Sequence, residues 1–327
     1  MKNELNIEEY FNGVKSNDRS ILSRAITLIE SSKKAHQILA EELIQRCLPH
    51  SGNSIRIGIT GVPGVGKSTF IESFGNHITM QGHKLAVLAI DPSSQKSGGS
   101  ILGDKTRMEE LSSNPNAFIR PTASSGSLGG VARSTRETII LFETAGYDTI
   151  IVETVGVGQS ETTVHSMVDC FLLLLLAGAG DELQGIKRGI MEMADIITIN
   201  KADGENIKPA QRASAQVKNA IHLFPQADNG WITEVETCSA FENVGLDAIW
   251  DLIKSFENST KLNNTFKTKR QNQAVYWMHQ TIKEQLENRF YQNPIMKRKL
   301  ANIEKDLLNN RLSSYQAAKN LLDIKSK

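Results

Sequence analysis

Cysteine is scarce: Cys47, Cys170 and Cys238 lie far apart and are odd in number. That excludes a disulfide framework and the paired Cys-x-x-Cys ligands of a soft-metal site, and it fits free thiols in a reducing compartment. Net charge is nearly absent too. The 37 Lys and Arg against 36 Asp and Glu leave +1, so no basic field points to nucleic acid. Seven scattered histidines form no metal-binding tract. Long apolar runs are missing. The most membrane-like stretch, Cys170 to Gly180, falls short of the ~18–20 residues a spanning helix needs, and Asp169 and Asp181 flank it. A parallel strand covered on both faces explains such a run better. The N-terminus, Met1 to Glu9, is polar and acidic and has no apolar core of a signal peptide. Glycine and proline are too few for a disordered chain. The expectation is a soluble cytoplasmic protein with no nucleic-acid or membrane partner.

What is present is sharper. Gly61, Val62, Pro63, Gly64, Val65, Gly66, Lys67 and Ser68 match the pattern G-x-x-x-x-G-K-[ST] at every fixed position. Ile55 to Thr60 before them reads as a β-branched strand, and Thr69 to Phe74 as the start of a helix. A glycine-rich turn between strand and helix points backbone N–H groups inward as an anion cradle, and the helix N-terminus adds partial positive charge. Lys67 is expected to neutralise β- and γ-phosphates and the Ser68 hydroxyl to ligate Mg²⁺.

Strands are expected over 55–60, 84–90, 117–119, 148–153, 170–176, 195–199 and 232–237, with helical patterns between most of them, as at 130–145, 182–193, 207–222 and 245–257. This alternation predicts an α/β fold: a mostly parallel sheet flanked by helices. Residues 1–50 read as a helical extension, with stripes at Ile21, Ala25, Leu28 and Ile29 and at Ala35, Ile38, Leu39, Leu43 and Ile44. Residues 51–258 read as the nucleotide-binding domain. Residues 259–327 read as a helical arm whose stripes (Val275, Met278, Ile282, Leu286 and Phe290, then Ile295, Ile303, Leu307 and Leu308) are either a cap on the domain or a dimerisation surface.

Asn200-Lys201-Ala202-Asp203 follows directly on an expected strand. A carboxylate at Asp203 can accept from guanine N1–H and the exocyclic amine, donors that adenine does not pair. Asn200 braces the loop and the Lys201 stem covers the base. Ser239, Ala240 and Phe241 follow the last expected strand and fit a second base-contact loop, where a backbone N–H meets the base oxygen. GTP is therefore favoured over ATP. For hydrolysis, Asp91 ends a strand and is either a Mg²⁺ ligand or a turn cap; Asp104 is either a second ligand or a partner of Arg107. Glu153, in Glu153-Thr-Val-Gly156, suits a water-mediated contact to Mg²⁺, with the Gly156 N–H at the γ-phosphate. Gln159 either positions the attacking water or decorates a loop. An arginine finger comes either in cis, from Arg107, Arg120 or Arg133, or from a partner.

These segments together resemble the methylmalonyl-CoA mutase-associated GTPases, the family of bacterial MeaB. The tracts that carry the resemblance are Gly61–Thr69, Ala89–Ser94, Gly98–Met108, Arg120–Gly130, Val152–Glu161, Gly178–Lys187 and Asn200–Asp203. The resemblance implies a homodimeric, Mg²⁺-dependent P-loop GTPase that chaperones a cobalamin-dependent acyl-CoA mutase. It would gate adenosylcobalamin loading and protect or reactivate that enzyme. It also implies Asp91, Asp104 and Glu153 around the metal, and a third switch at Asp181 to Lys187. Within Glu161 to Asp169, His165 departs from the small residue expected and reads as a helix-surface change. Three other functions share a P-loop: a transport-linked ATPase or kinase, a nickel-insertion GTPase, and a scaffold with a vestigial site. Asn200–Asp203 speaks against the first, the missing soft ligands against the second, and intact Lys67, Ser68 and Asp91 against the third.

Overall fold

A computed structural model describes residues 5–91, 108–123, 128–154, 160–178, 188–225 and 227–323. Asp104, Gly156, Gln159, Arg107 and the Asp181 to Lys187 loop lie outside these residues, and Asp91 is described through its backbone alone. The chain divides into two compact units, Met1–Gln271 and Asn272–Lys327.

Among the described residues the first unit has seven strands: β1 (Ile55–Gly61), β2 (Leu85–Asp91), β3 (Ala117–Ala123), β4 (Thr149–Thr154), β5 (Cys170–Leu176), β6 (Ile196–Asn200) and β7 (Glu234–Thr237). They pair in parallel in the order β3-β2-β4-β1-β5-β6-β7. The expected parallel α/β sheet is therefore present. Strand β5 shows why its sequence is apolar throughout. Leu172 and Leu174 join a core with α4 (Lys67–Met80) and with a helix at Leu246–Leu262, through Phe70, Phe74, Ile249, Trp250 and Phe256. Leu173 and Leu175 join a separate core with helices Arg188–Met193 and Ile207–Ile221, through Met191, Ala210, Ala213 and Val217. Alternate residues meet opposite faces, so both sets must be apolar.

Three helices precede the sheet: α1 (Ile7–Lys15), α2 (Arg19–Glu30) and α3 (Lys34–Cys47). Asn6 and Glu9 close a reciprocal cap on α1, and the Asp18 carboxylate accepts from Ser20 and Ile21 N–H to start α2. The expected stripes are buried at Ala25, Leu28, Leu43 and Ile44, and differ at other positions. Leu22 and Ile26 are fully buried, whereas Ile38 is 61% exposed.

At the amino ends of the strands lies a buried ionic cluster. Arg56 forks onto the Glu143 carboxylate at 3.0 Å and 3.0 Å, which also accepts from Ser54 Oγ and Gly52 N–H. Arg270 donates to both Asp169 oxygens at 2.7 and 2.6 Å and to the carbonyls of Gly52 and Ser54. Lys269 Nζ donates to the Asp169 carbonyl. These bonds tie Lys269 and Arg270 to the first unit. Removing one member of a buried pair strands the other charge. Arg270→Ala, which leaves Asp169 buried without its guanidinium, is expected to lower the unfolding free energy by about 3 kcal/mol in urea denaturation.

The second unit comprises the remainder of a long helix, Thr265–Gln292, and the helices Pro294–Leu308 and Ser314–Leu322. Trp277, Met296, Ala317 and Leu321 are buried. Val275, Met278, Ile282 and Leu286 leave about half their surface exposed (47–60%).

His165 is not the surface residue expected. Its ring packs edge-on against Phe171, with centroids 5.4 Å apart at 85°. Burial, and then the Lys269 charge, lowers its pKa to about 4 from 6.5. Unfolded chains bind a proton here below 6.5, and the folded chain does so only near 4. Stability from this group is thus complete above 6.5 and is lost as pH falls towards 4, by at most about 3 kcal/mol. His165→Gln is expected to flatten the acid limb of a Tm-against-pH curve between pH 6.5 and 4.

Candidate functional site

The chain leaves β1 for β2 and β3 on one side and later fills β5, β6 and β7 on the other. Such a reversal opens a crevice at the carboxyl ends of the strands. Gly61 to Ser68 occupy it. A Cβ at Gly61 would lie 2.6 Å from the Leu174 carbonyl oxygen, so a side chain there collides with β5 backbone. Gly66 precedes α4 with φ +90°, and a Cβ would lie 3.1 Å from Asn200 Nδ2. Helix α4 then begins with Lys67, and Ser68 and Thr69 sit in its first turn, where amides lack helical partners and favour an anion.

Lys67 is 9% exposed and donates to the carbonyls of Gly61 at 2.7 Å and Val62 at 3.4 Å. Burial lowers its pKa, and the charges of Glu153 and Glu161 oppose that shift. Glu153 is itself 9% exposed and pairs in register with Ile59 of β1 and Ala89 of β2. It therefore sits two residues before Gly61 and two before Asp91 along adjacent strands. One step further, the Thr154 hydroxyl donates to Thr60 Oγ1 at 2.8 Å, and both side chains are buried. The hydroxyl pair latches the strand leading into the phosphate loop to the strand leading into Gly156.

The expected base-reading residues converge from the other side. Asn200 closes β6, and Lys201, at φ +59°, turns its ammonium onto the Gly64 carbonyl at 2.9 Å. Asn200 Nδ2 donates to the Val65 carbonyl at 2.9 Å. Its Oδ1 accepts from Ala240 N–H at 3.3 Å and from the Cys238 thiol at 3.4 Å. Burial pushes the Cys238 thiol up to about 12, so it stays a thiol. Ser239 Oγ donates to Asp203 Oδ2 at 2.6 Å and fixes the carboxylate. Phe241 stands 84% exposed at the tip of the same turn.

The structure thus gathers Gly61–Ser68, Glu153, Asn200, Lys201, Asp203, Ser239 and Ala240 at the carboxyl ends of the sheet. Two arginines lie elsewhere. Arg120 is paired with Glu30 and Thr27 of α2, and Arg133 with Glu137 and with Glu41 of α3. Sequence reasoning passed over Glu161, which is 6% exposed in the first turn of Ser160–His165 and acts electrostatically on Lys67. The only signal for it was its place in the Val152–Glu161 tract. Which face of a six-residue helix turns inward is decided by packing.

Asn200→Ala removes the groups that satisfy Val65 O and Ala240 N–H in a buried setting. It is expected to cost about 2–3 kcal/mol in chemical denaturation and to weaken GDP binding measured by calorimetry.

Residues 22–295 match the family model described as methylmalonyl Co-A mutase-associated GTPase MeaB. A probable GTPase of Mycobacterium bovis is 48% identical over 311 residues, 95% of this chain and 93% of that protein. GTPase ArgK of Escherichia coli is 46% identical over 293 residues, 90% and 88% of the two chains. The mitochondrial methylmalonic aciduria type A homolog of Mus musculus is 45% identical over 326 residues, 97% and 79%. A crystal structure described as LAO/AO transport system kinase superposes with TM-score 0.78 at 38% identity, covering 99% of this chain and 98% of that one.

Proposed function

The chain belongs to the methylmalonyl-CoA mutase-associated GTPase MeaB family, and from that premise we propose a specific role for it. It hydrolyses GTP to GDP and phosphate in a Mg²⁺-dependent reaction, as a cytoplasmic homodimer. Its client is a cobalamin-dependent acyl-CoA mutase of the methylmalonyl-CoA type, whose adenosylcobalamin loading it gates and which it protects or reactivates. The observation that carries this reading is the direct bonding of the Asn200–Asp203 loop to the phosphate loop, through Asn200 to Val65 and Lys201 to Gly64. Base identity and phosphate geometry are read by one connected unit.

In this reading the amides of Gly64 to Thr69 cradle the phosphates, and Lys67 moves from the Gly61 carbonyl to β- and γ-oxygens. The donor set suits a hard cation: the Ser68 hydroxyl, Asp91, Asp104 and the buried Glu153 carboxylate offer oxygen only. Bound there, Mg²⁺ would offset charge on the β- and γ-phosphates. Gly156 would donate to the γ-phosphate, and Gln159 would orient the attacking water. Asp203, held by Ser239, accepts from the guanine N1–H and amine. The half-exposed stripe at Val275, Met278, Ile282 and Leu286 supports a second copy as the occupant of the arm. Three buried thiols suit a reducing compartment.

A transport-linked kinase is the competing reading, since a related structure carries that description. The base-reading loop separates the two, because a kinase of that kind would prefer ATP. The deciding experiment is GTP turnover by the purified protein with and without the cobalamin-dependent mutase encoded in the same genome. The mutase is expected to raise turnover, and Lys67→Ala to abolish it in both cases. Asp203→Asn is expected to move preference from GTP to XTP by at least roughly tenfold. Turnover indifferent to the mutase would overturn the chaperone role, and a preference for ATP would overturn the GTPase reading.

A further inference from the structure

Hydroxyls inside helices usually bond the carbonyl one turn back. Thr79 of α4 does so with Gly75, as do Thr27 with Ser23 and Thr135 with Val131 in other helices. Ser73 of α4 does not. Its Oγ donates to the Ala240 carbonyl at 2.6 Å, across 167 residues of sequence. That carbonyl belongs to the peptide joining Ala240 to Phe241. A trans peptide is planar, with its C=O and N–H pointing in opposite directions, and no cis peptide occurs among the described residues. Anchoring the carbonyl on α4 therefore aims the Phe241 N–H away from that helix.

The neighbouring amide is already engaged. Ala240 N–H is directed at Asn200 Oδ1 at 3.3 Å, inside a wholly buried setting. Among the described residues Phe241 N–H meets no acceptor, and its residue is exposed. The rest of the turn is rigid: Ser239 and Val244 exchange both backbone bonds at 3.0 Å, and Glu242 N–H donates to Ser239 Oγ. Among the described residues the Phe241 and Asn243 N–H groups of this turn meet no acceptor, and of the two it is the Phe241 N–H whose direction Ser73 sets.

We propose that Ser73 is a specificity-positioning residue: from the phosphate-loop helix its hydroxyl orients the Ala240–Phe241 peptide so that the Phe241 N–H reads the 6-oxygen of a guanine base. The inference rests on the guanine-nucleotide reading above. It divides the base edge between two groups. Asp203 reads N1–H and the 2-amine, while the Phe241 amide reads position 6, where adenine presents a donor and would face donor to donor. It also ties base recognition to the helix that begins at Lys67.

The test uses GDP, 6-thio-GDP and IDP binding by the full-length protein, measured by calorimetry. 6-Thio-GDP keeps N1–H and the 2-amine but carries a weak acceptor at position 6; IDP lacks the 2-amine alone. Wild type is expected to prefer GDP to 6-thio-GDP. Ser73→Ala is expected to weaken GDP about fivefold, the equivalent of one neutral hydrogen bond, while 6-thio-GDP changes little, so that the preference collapses. The GDP-to-IDP ratio, which reports Asp203, is expected to stay at the wild-type value. Ser73→Thr, which keeps the hydroxyl, is expected to restore the preference. Should Ser73→Ala fail to fold, Ser73→Cys, with a weak donor of similar size, carries the same expectation. A wild type that does not distinguish GDP from 6-thio-GDP, or a variant that weakens both nucleotides equally, would overturn the role of Ser73. A wild-type GDP-to-ADP ratio near one would instead sink the guanine reading on which it rests.

Discussion

One buried amide holds the site together. Asn200 donates to Val65 and accepts from Ala240 and Cys238, joining segments 135 and 40 residues away in sequence. An amide is suited to this because it carries donors and acceptors on one planar group, whereas a carboxylate only accepts. The constraint acts on glycine as well. Gly66 passes so close to Asn200 Nδ2 that a side chain would press on the bond, and its left-handed φ would strain any replacement. The loop Gly61–Ser68 is gripped by the Asn200–Asp203 loop through these bonds.

The opposite end of the sheet does a different job. There Arg56, Glu143, Asp169 and Arg270 are mutually satisfied, with backbone N–H and carbonyl groups filling the remaining valences. Buried charges of this kind contribute little beyond a well-packed apolar alternative but are costly to break singly. Their effect is to fix where the amino ends of β1 and β5 lie. The carboxyl ends of the same strands carry the loops, so the register that positions Gly61 against Leu174 is set at both extremities.

Much of this was legible in the sequence, for physical reasons. The inner strands were readable because parallel strands in the middle of a sheet are apolar on both faces, as Cys170–Leu176 is. The loops at Gly61 and Asn200 were readable because their chemistry demands particular residues at fixed spacing. The stripes of α2 and α3 were harder. With apolar residues at 21, 22, 25, 26, 28 and 29, α2 offers a broad face, and contact with neighbouring helices chooses Leu22 and Ile26 as its centre. Ile38 lost its expected place in the same way. Side chains that act across the fold, such as Ser73 and Glu161, leave no trace in spacing, because their partners lie on segments distant in sequence.

Under the proposed function, the electrostatics around Lys67 give a physical reason for turnover that depends on a client. Lys67 is desolvated and has Glu153 and Glu161 as counter-charges, so part of its positive field is offset before any phosphate arrives. A transferring phosphoryl group spreads negative charge over its oxygens, and additional cations near it accelerate the reaction greatly. Of the arginines that might have served in cis, Arg120 is committed to Glu30 and Arg133 to Glu137 and Glu41. Arg120, on β3, turns its side chain to α2, and Arg133, on a helix, turns to α3. Under the proposed function, a cation delivered by a partner would meet a site already shaped for guanine and phosphate, and nucleotide turnover would follow engagement of the client.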